Sequence, residues 1–257
     1  MLTLQQKQKS STQRQAHQPY AIYNAGTDTL TPLPLDAALD SNLRSDGTRL
    51  VWVHSNGYLQ PQRLVAAPQA VSDGRAVQAL LVLPGGKQTI ESARANLARY
   101  WLDEALRLGY LVICPAAPAG RPFYEDGADL IPEFLQRQLA LFQIADGKFD
   151  VAGFSNGAVS AFIAASRSPQ LFRSVTALAG YPVNPFDFDN LDRLQGIAVT
   201  MFVGEHDLPW KEGMERVRDR LQTLGIPVYL EEVPRNGHLL PALSFEYSAR
   251  IFRRMPR

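Results

Sequence analysis

Residues 148–165 read KFDVAGFSNGAVSAFIAA. The run 149–152, apolar but for Asp150, meets Gly153-Phe154-Ser155-Asn156-Gly157, and an apolar-periodic segment with Ala158, Phe162, Ile163 and Ala165 follows at once. The order is strand, sharp turn, helix. In a turn that tight, residues must be small where the strand and helix backbones approach, which accounts for Gly153 and Gly157 and leaves Ser155 at the tip. A serine held there faces solvent at the carboxyl end of a strand, in a strained conformation costing about 1–3 kcal/mol of the kind found at functional sites. The Gly-x-Ser-x-Gly pattern is short enough to arise by chance in any glycine-rich turn, so the rest of the chain decides its meaning.

Working outward, residues 76–83 are almost continuously apolar and predict a strand covered on both faces. Residues 91–108 predict a helix, with Ala93, Leu97, Trp101, Ala105 and Leu108 spaced by four, four, four and three, and Gly109 ends it. Residues 110–114 predict the next strand, 115–127 a long loop, and 130–145 a helix leading into the serine turn. Beyond the serine helix come a strand at 174–179, an irregular aromatic segment at 180–190, and a strand at 197–203. A helix over 210–224, a last strand at 228–233 and a closing helix within 241–252 complete the chain. Such alternation implies an α/β fold with a mostly parallel central sheet, right-handed crossovers and helices on both faces. Ahead of it, residues 50–54 and 58–66, joined through Asn56-Gly57, predict an antiparallel hairpin.

The chain divides into a Gln-rich tail at 1–19 that should be poorly ordered, an N-terminal extension at 20–47 in which Pro32 and Pro34 break regular elements, and one domain at 48–257. At 257 residues, with 46% apolar and 20% charged side chains, the material suits a single large α/β core. A net charge of +1, with no lysine-arginine run, leaves no footprint for nucleic acid. Cys114 is the only cysteine, which excludes an intrachain disulfide and a cysteine-held zinc, and its place at a strand end reads as a small buried apolar residue. No run approaches 18 apolar residues, so no membrane-spanning helix is expected, and the first segment lacks the apolar centre of a secretory signal. A cytoplasmic protein is the expectation. Oligomeric state has no signature in the sequence.

Pro84-Gly85-Gly86-Lys87 follows the first parallel strand. A phosphate loop would need a glycine where Leu81 stands and Ser or Thr where Gln88 stands, so the nucleotide reading fails. A Gly-Gly turn at this place can instead aim bare backbone N–H groups at a developing oxyanion.

Three polar residues now stand in comparable places. Ser155, Asp207 and His238 each follow a different parallel strand at its carboxyl end, where open α/β sheets place their sites. In the order Ser, Asp, His, and in the turn Gly153-Phe154-Ser155-Asn156-Gly157, residues 48–257 resemble the α/β-hydrolase superfamily. The segments Gly-Glu-His-Asp at 204–207 and Asn-Gly-His at 236–238 are similar to those of esterases related to polyhydroxyalkanoate depolymerases, feruloyl esterases and dienelactone hydrolases.

The resemblance implies a serine hydrolase that cleaves a carboxylic ester through an acyl-enzyme. His238 would take the proton of Ser155, and Asp207 would hold the imidazole in the right tautomer. The backbone N–H of Asn156 and one from Gly86 or Lys87 would receive the oxyanion. His206 is the alternative base, and Glu205, then Asp187 and Asp189, the alternative acids. No second His or carboxylate stands at ligand spacing from His206 and Asp207, so no metal is expected, and no cofactor is implied. Arg121, in the 115–127 loop, could clamp a substrate carboxylate, the alternative being a solvated loop arginine. Phe123, Tyr181, Phe186 and Trp210 are candidate walls for a small-molecule ester pocket, or else core. With the same three residues the chain could be a lactonase, thioesterase or peptidase; in another class, it could be a noncatalytic α/β-hydrolase-fold binding protein.

Overall fold

In the computed structural model, residues 20–24, 29–33, 50–56, 60–72, 74–118 and 121–255 are described. The strands are β1 (Tyr20–Asn24), β2 (Thr29–Leu33), β3 (Leu50–Asn56), β4 (Gln60–Ala66), β5 (Val77–Leu83), β6 (Leu111–Pro115), β7 (Ile144–Phe154), β8 (Phe172–Leu178), β9 (Ala198–Gly204) and β10 (Val228–Val233). They form one sheet in the order β10-β9-β8-β7-β5-β6-β4-β3-β1-β2. From β10 to β6 neighbours run parallel, and from β6 to β2 each pair is antiparallel. The helices are α1 (Gln69–Ser72), α2 (Ile90–Asn96), α3 (Leu102–Arg107), α4 (Ile131–Leu141), α5 (Asn156–Arg167), α6 (Pro185–Asp189), α7 (Leu208–Thr223) and α8 (Ala249–Phe252).

The continuous apolar runs fill the middle of the sheet because helices cover both of its faces. In β5 and β7, Leu81, Leu83 and Val151 join one core with Ala158, Phe162 and Ala165 of α5. The alternate residues Leu80, Val82 and Ala152 join a second core with Leu97, Trp101, Ile251 and Phe252. The chain reverses direction across the sheet between β5 and β7, since β6 lies on one side of β5 and β7 on the other. Loops leaving the carboxyl ends of β5 and β7 therefore diverge and open a crevice, the place where open α/β sheets bind ligands.

Several expectations are corrected. The helix expected over 91–108 is interrupted by a π-helical turn, Leu97–Trp101, between α2 and α3. A repeat of four exceeds the 3.6 residues of an α-turn, so an apolar stripe spaced at four drifts off the core; the wider π turn absorbs the surplus and buries Leu97, Tyr100 and Trp101 together. Helix α4 stops at Leu141, because Phe142 is already extended and β7 begins at Ile144. The segment 180–190 holds the short helix α6, capped by Asn184, whose side chain accepts the Phe186 N–H at 2.9 Å. The closing helix expected within 241–252 breaks into the 3-10 turns Pro241–Leu243 and Phe245–Tyr247 followed by α8. Ser244 is extended and Phe245 has φ 52°, while Leu240, Leu243, Ile251 and Phe252 stay buried.

The extension at 20–47 contributes β1 and β2, which the prolines were expected to forbid. Pro32 lies in β2, the outermost strand, where a missing ladder N–H is tolerated. The pairing of β3 with β4 sets Asn56 opposite Gln60, so the expected two-residue turn at Asn56-Gly57 gives way to a connection at 57–59, outside the described residues. The tail at 1–19 also lies outside them. Cys114 is fully buried in β6, and burial pushes its thiol pKa up, as suits an unreactive core residue. Among the described residues no helix is long and apolar enough to cross a membrane.

Candidate active site

Ser155 links β7 to α5 at φ 54° and ψ −122°. Its N–H donates to the Leu178 carbonyl at 2.8 Å, and its own carbonyl accepts from Ala158 and Val159, so the strained residue is held from both sides. The flanking glycines are required by close approach. A Cβ on Gly153 would lie 2.2 Å from the Gly157 backbone, and one on Gly157 would lie 1.9 Å from the Leu83 oxygen.

Asp207 and His238 are brought together by two loops that dock through their backbones. A Cβ on Gly204 would lie 2.2 Å from the Gly237 oxygen, and the His206 N–H donates to the Asn236 carbonyl at 2.9 Å. Buried Asn236 holds its own loop in shape, donating to the Pro234 carbonyl at 2.7 Å and accepting from the Ala242 N–H at 3.2 Å. The outcome is a hydrogen-bonded chain of three side chains. Asp207 Oδ2 lies 2.8 Å from His238 Nδ1, and His238 Nε2 lies 2.9 Å from Ser155 Oγ. If Nδ1 carries the proton and donates it to the carboxylate, the Nε2 lone pair faces the hydroxyl, which is what removing a proton from Ser155 needs. Asp207 is 8% exposed, a setting that strengthens its hold on the ring.

Two aromatic rings contact the imidazole. Phe154 is 5.2 Å away by centroid, and Trp210 stacks on it at 5.7 Å with 29° between planes. Tyr181 backs Trp210 edge-on at 5.5 Å. Gly213 makes room for it, since a Cβ there would lie 1.9 Å from the Tyr181 ring.

The turn after β5 lies against the serine turn. A Cβ on Gly85 would lie 2.6 Å from the Phe154 oxygen, and Asn156 Nδ2 donates to the Gly86 carbonyl at 3.0 Å. Asn156 is the first residue of α5, so its N–H has no intrahelical acceptor and is open to an anion. Gly86 has φ 61°, and with Lys87 it is exposed beside that helix start.

Other expectations are placed as follows. The Glu205 side chain accepts the Arg235 N–H at 2.7 Å and does not face His238. Asp187 lies 3.7 Å from Arg167, Asp189 is exposed, and so is His206. Arg121 is exposed and donates to the Asp126 carbonyl of its own loop at 3.3 Å; among the described residues no hydrogen bond joins it to Ser155 or His238. Phe123 is 1% exposed and belongs to the main core. Phe186 is 66% exposed, whereas Trp210 is half-buried against the imidazole and Tyr181 half-buried against Trp210. Sequence reasoning missed Phe154 as a ring partner, the side chain of Asn156, and buried Gln88, which was noted only as the wrong residue for a phosphate loop. A polar residue between Gly-Gly-Lys and a helix start carries no local signal of burial.

Residues 111–225 match the Esterase family model, a span of less than half the chain that takes in Ser155 and Asp207 and ends before His238. No curated protein matches the chain. Among solved structures it is similar to a thermostable esterase, at 16% identity and TM-score 0.58 over 73% of this chain and 55% of that one. It is similar to an S-formylglutathione hydrolase from Agrobacterium tumefaciens, at 14% and 0.62 over 82% and 96%. A third likeness is to a dienelactone hydrolase from Anabaena variabilis, at 18% and 0.58 over 78% and 90%. The chain spans little more than half the length of the thermostable esterase.

Proposed function

We propose that this chain, which has the α/β-hydrolase fold, is a serine carboxylic ester hydrolase working through an acyl-enzyme on Ser155. The observation that carries the reading is the unbroken hydrogen-bonded order Asp207–His238–Ser155, with both links under 3 Å. The match to the Esterase family model supports the same class.

The steps follow from the positions of these atoms. Ser155 Oγ attacks the ester carbonyl carbon as His238 Nε2 takes its proton, and the Asp207 carboxylate stabilises the imidazolium. The carbonyl oxygen, now anionic, is received by the Asn156 N–H at the start of α5 and by an N–H of Gly86 or Lys87. His238 returns the proton to the departing alcohol. A water then attacks the acyl carbon, again giving its proton to His238, and as the acyl–oxygen bond breaks His238 returns that proton to Ser155 Oγ, freeing the carboxylic acid product and restoring the enzyme. Trp210, backed by Tyr181, is the proposed wall beside the imidazole. The catalytic unit is residues 48–257, and β1 and β2 of the N-terminal extension lengthen the sheet beyond β3.

The test is intact-mass analysis of wild type and Ser155→Ala after exposure to a fluorophosphonate, beside p-nitrophenyl esters of increasing acyl length. A single adduct and ester turnover in wild type, with neither in the folded variant, is expected. Folded wild type that takes no adduct would overturn the proposal.

A further inference from the structure

The geometry points to Gln88 as the positioning residue that fixes the two halves of the oxyanion pocket against each other, an inference that rests on the serine-hydrolase reading. Gln88 is 0% exposed, although it sits in the loop between Lys87 and the Thr89 cap of α2. Its φ is 56°, a conformation unfavourable for any side chain but glycine, and such strain persists only where the surroundings enforce it.

The surroundings here are hydrogen bonds from three separate segments. Gln88 Nε2 donates to the Pro84 carbonyl at 2.9 Å and to Ser160 Oγ at 2.9 Å, and Oε1 accepts the Phe123 N–H at 2.6 Å. Ser160 in turn donates to the Asn156 carbonyl at 2.8 Å. One amide thus joins the residue before Gly85-Gly86-Lys87 to Ser160 of α5, and through Ser160 to the Asn156 carbonyl, with both amide hydrogens used. The backbone of Gln88 adds a further tie, its carbonyl accepting the Ala117 N–H at 2.7 Å.

The proposed oxyanion donors belong to the two segments that Gln88 joins. The Asn156 N–H moves with α5, and the N–H groups of Gly86 and Lys87 move with the turn after β5. Their separation is set by what lies behind them, and Gln88 lies behind both. An apolar residue of equal length would fill the space but leave the Pro84 carbonyl and the Phe123 N–H without partners, so the turn would shift to find them. Donors displaced by about 1 Å lose much of their hold on a tetrahedral oxyanion while ground-state binding is little changed.

The test compares wild type with Gln88→Met, which keeps length and removes the hydrogen bonds, and with Ser160→Ala, which removes the link to α5 alone. Both are measured for kcat and KM on a p-nitrophenyl ester, for Ki of a trifluoromethyl ketone that adds to the serine as a tetrahedral oxyanion, and for folding by circular dichroism. The expected result for Gln88→Met is a kcat lower by about 10- to 100-fold, KM within about twofold, and a ketone Ki raised by the same factor as kcat falls. Ser160→Ala should show the same split at about 3- to 10-fold, and it decides the matter if Gln88→Met does not fold. Unchanged kcat in a folded variant, or a fall in kcat with the ketone Ki unmoved, overturns the inference. Fluorophosphonate labelling of wild type separates the two failures: an adduct on wild type with unaffected variants rejects the role of Gln88 alone, whereas folded wild type without an adduct rejects the hydrolase reading and this role with it.

Discussion

Gly157 and Leu83 touch so closely that a Cβ on Gly157 would stand 1.9 Å from the Leu83 oxygen. The contact sets how near α5 can come to the end of β5, and hence how near Ser155 comes to the Gly-Gly turn. Neither residue has a functional group to offer; the relationship is one of backbone to backbone. Gly157→Ala must push the serine helix away from β5. We expect a loss of about 1–3 kcal/mol in stability from overpacking, together with a fall in ester turnover larger than the unfolded fraction explains. Urea denaturation and kcat measured on the same preparation check both.

Ser155 stores strain that can be measured apart from its chemistry. Both Ser155→Ala and Ser155→Gly remove the hydroxyl and should abolish turnover. Only glycine accepts φ 54° with ψ −122° without penalty. Ser155→Gly should therefore be more stable than Ser155→Ala by about 1 kcal/mol, even though glycine gives the unfolded chain more freedom. Thermal melts of the two inactive variants test this; equal stability would mean that the turn is relaxed.

Glu205 and Asp207 share one turn, and the question of which is the acid has a direct assay. Asp207 Oδ2 faces His238 Nδ1 at 2.8 Å, while the Glu205 carboxylate takes the Arg235 N–H. Asp207→Asn should lower kcat by about 10⁴-fold, since an amide that donates to Nδ1 selects the wrong tautomer. Glu205→Gln keeps an oxygen for the Arg235 N–H and should leave kcat within about threefold, with a stability change near 1 kcal/mol. The reverse ranking would transfer the role to Glu205.

The middle of the sheet was legible because strands such as β5, β6 and β9 are buried on both faces and so read as nearly unbroken apolar runs bounded by turn residues, whereas β10 at the edge is half-exposed and carries Glu231 and Glu232. Ser155, Asp207 and His238 were legible for a related reason, as each follows a strand of the parallel half and the topology leaves little choice about where strand ends meet. What the sequence hid was decided by tertiary partners. The strands β1 and β2 are short and lie at the sheet edge, where pairing is enforced by a neighbour rather than by a pattern, and Pro32 argued against one of them. Phe123 and Trp210 look alike as aromatic residues after a strand, yet one is core and the other stacks on His238. Gln88 owes its burial to Phe123 and Ser160, which lie 35 and 72 residues away in sequence.

Glu104 gives a pH prediction whose sign is fixed by its partner. Arg107 donates to both carboxylate oxygens, at 2.6 and 2.5 Å, and this pairing holds the Glu104 carboxyl below its ordinary value of 4.5. A carboxylate with a depressed folded-state pKa binds its proton more readily in the unfolded chain. Its contribution is therefore fully present above pH 4.5 and is lost as the pH falls below that value and through the folded-state pKa. Arg107 is 66% exposed, so solvent screens the pair and the contribution is modest, about 0.5 kcal/mol. Glu104→Gln should then melt slightly below wild type at pH 7, and the two curves should converge as the pH is lowered through the acid range. If the gap between them were instead constant with pH, the loss would come from packing at this nearly buried site and not from the charge.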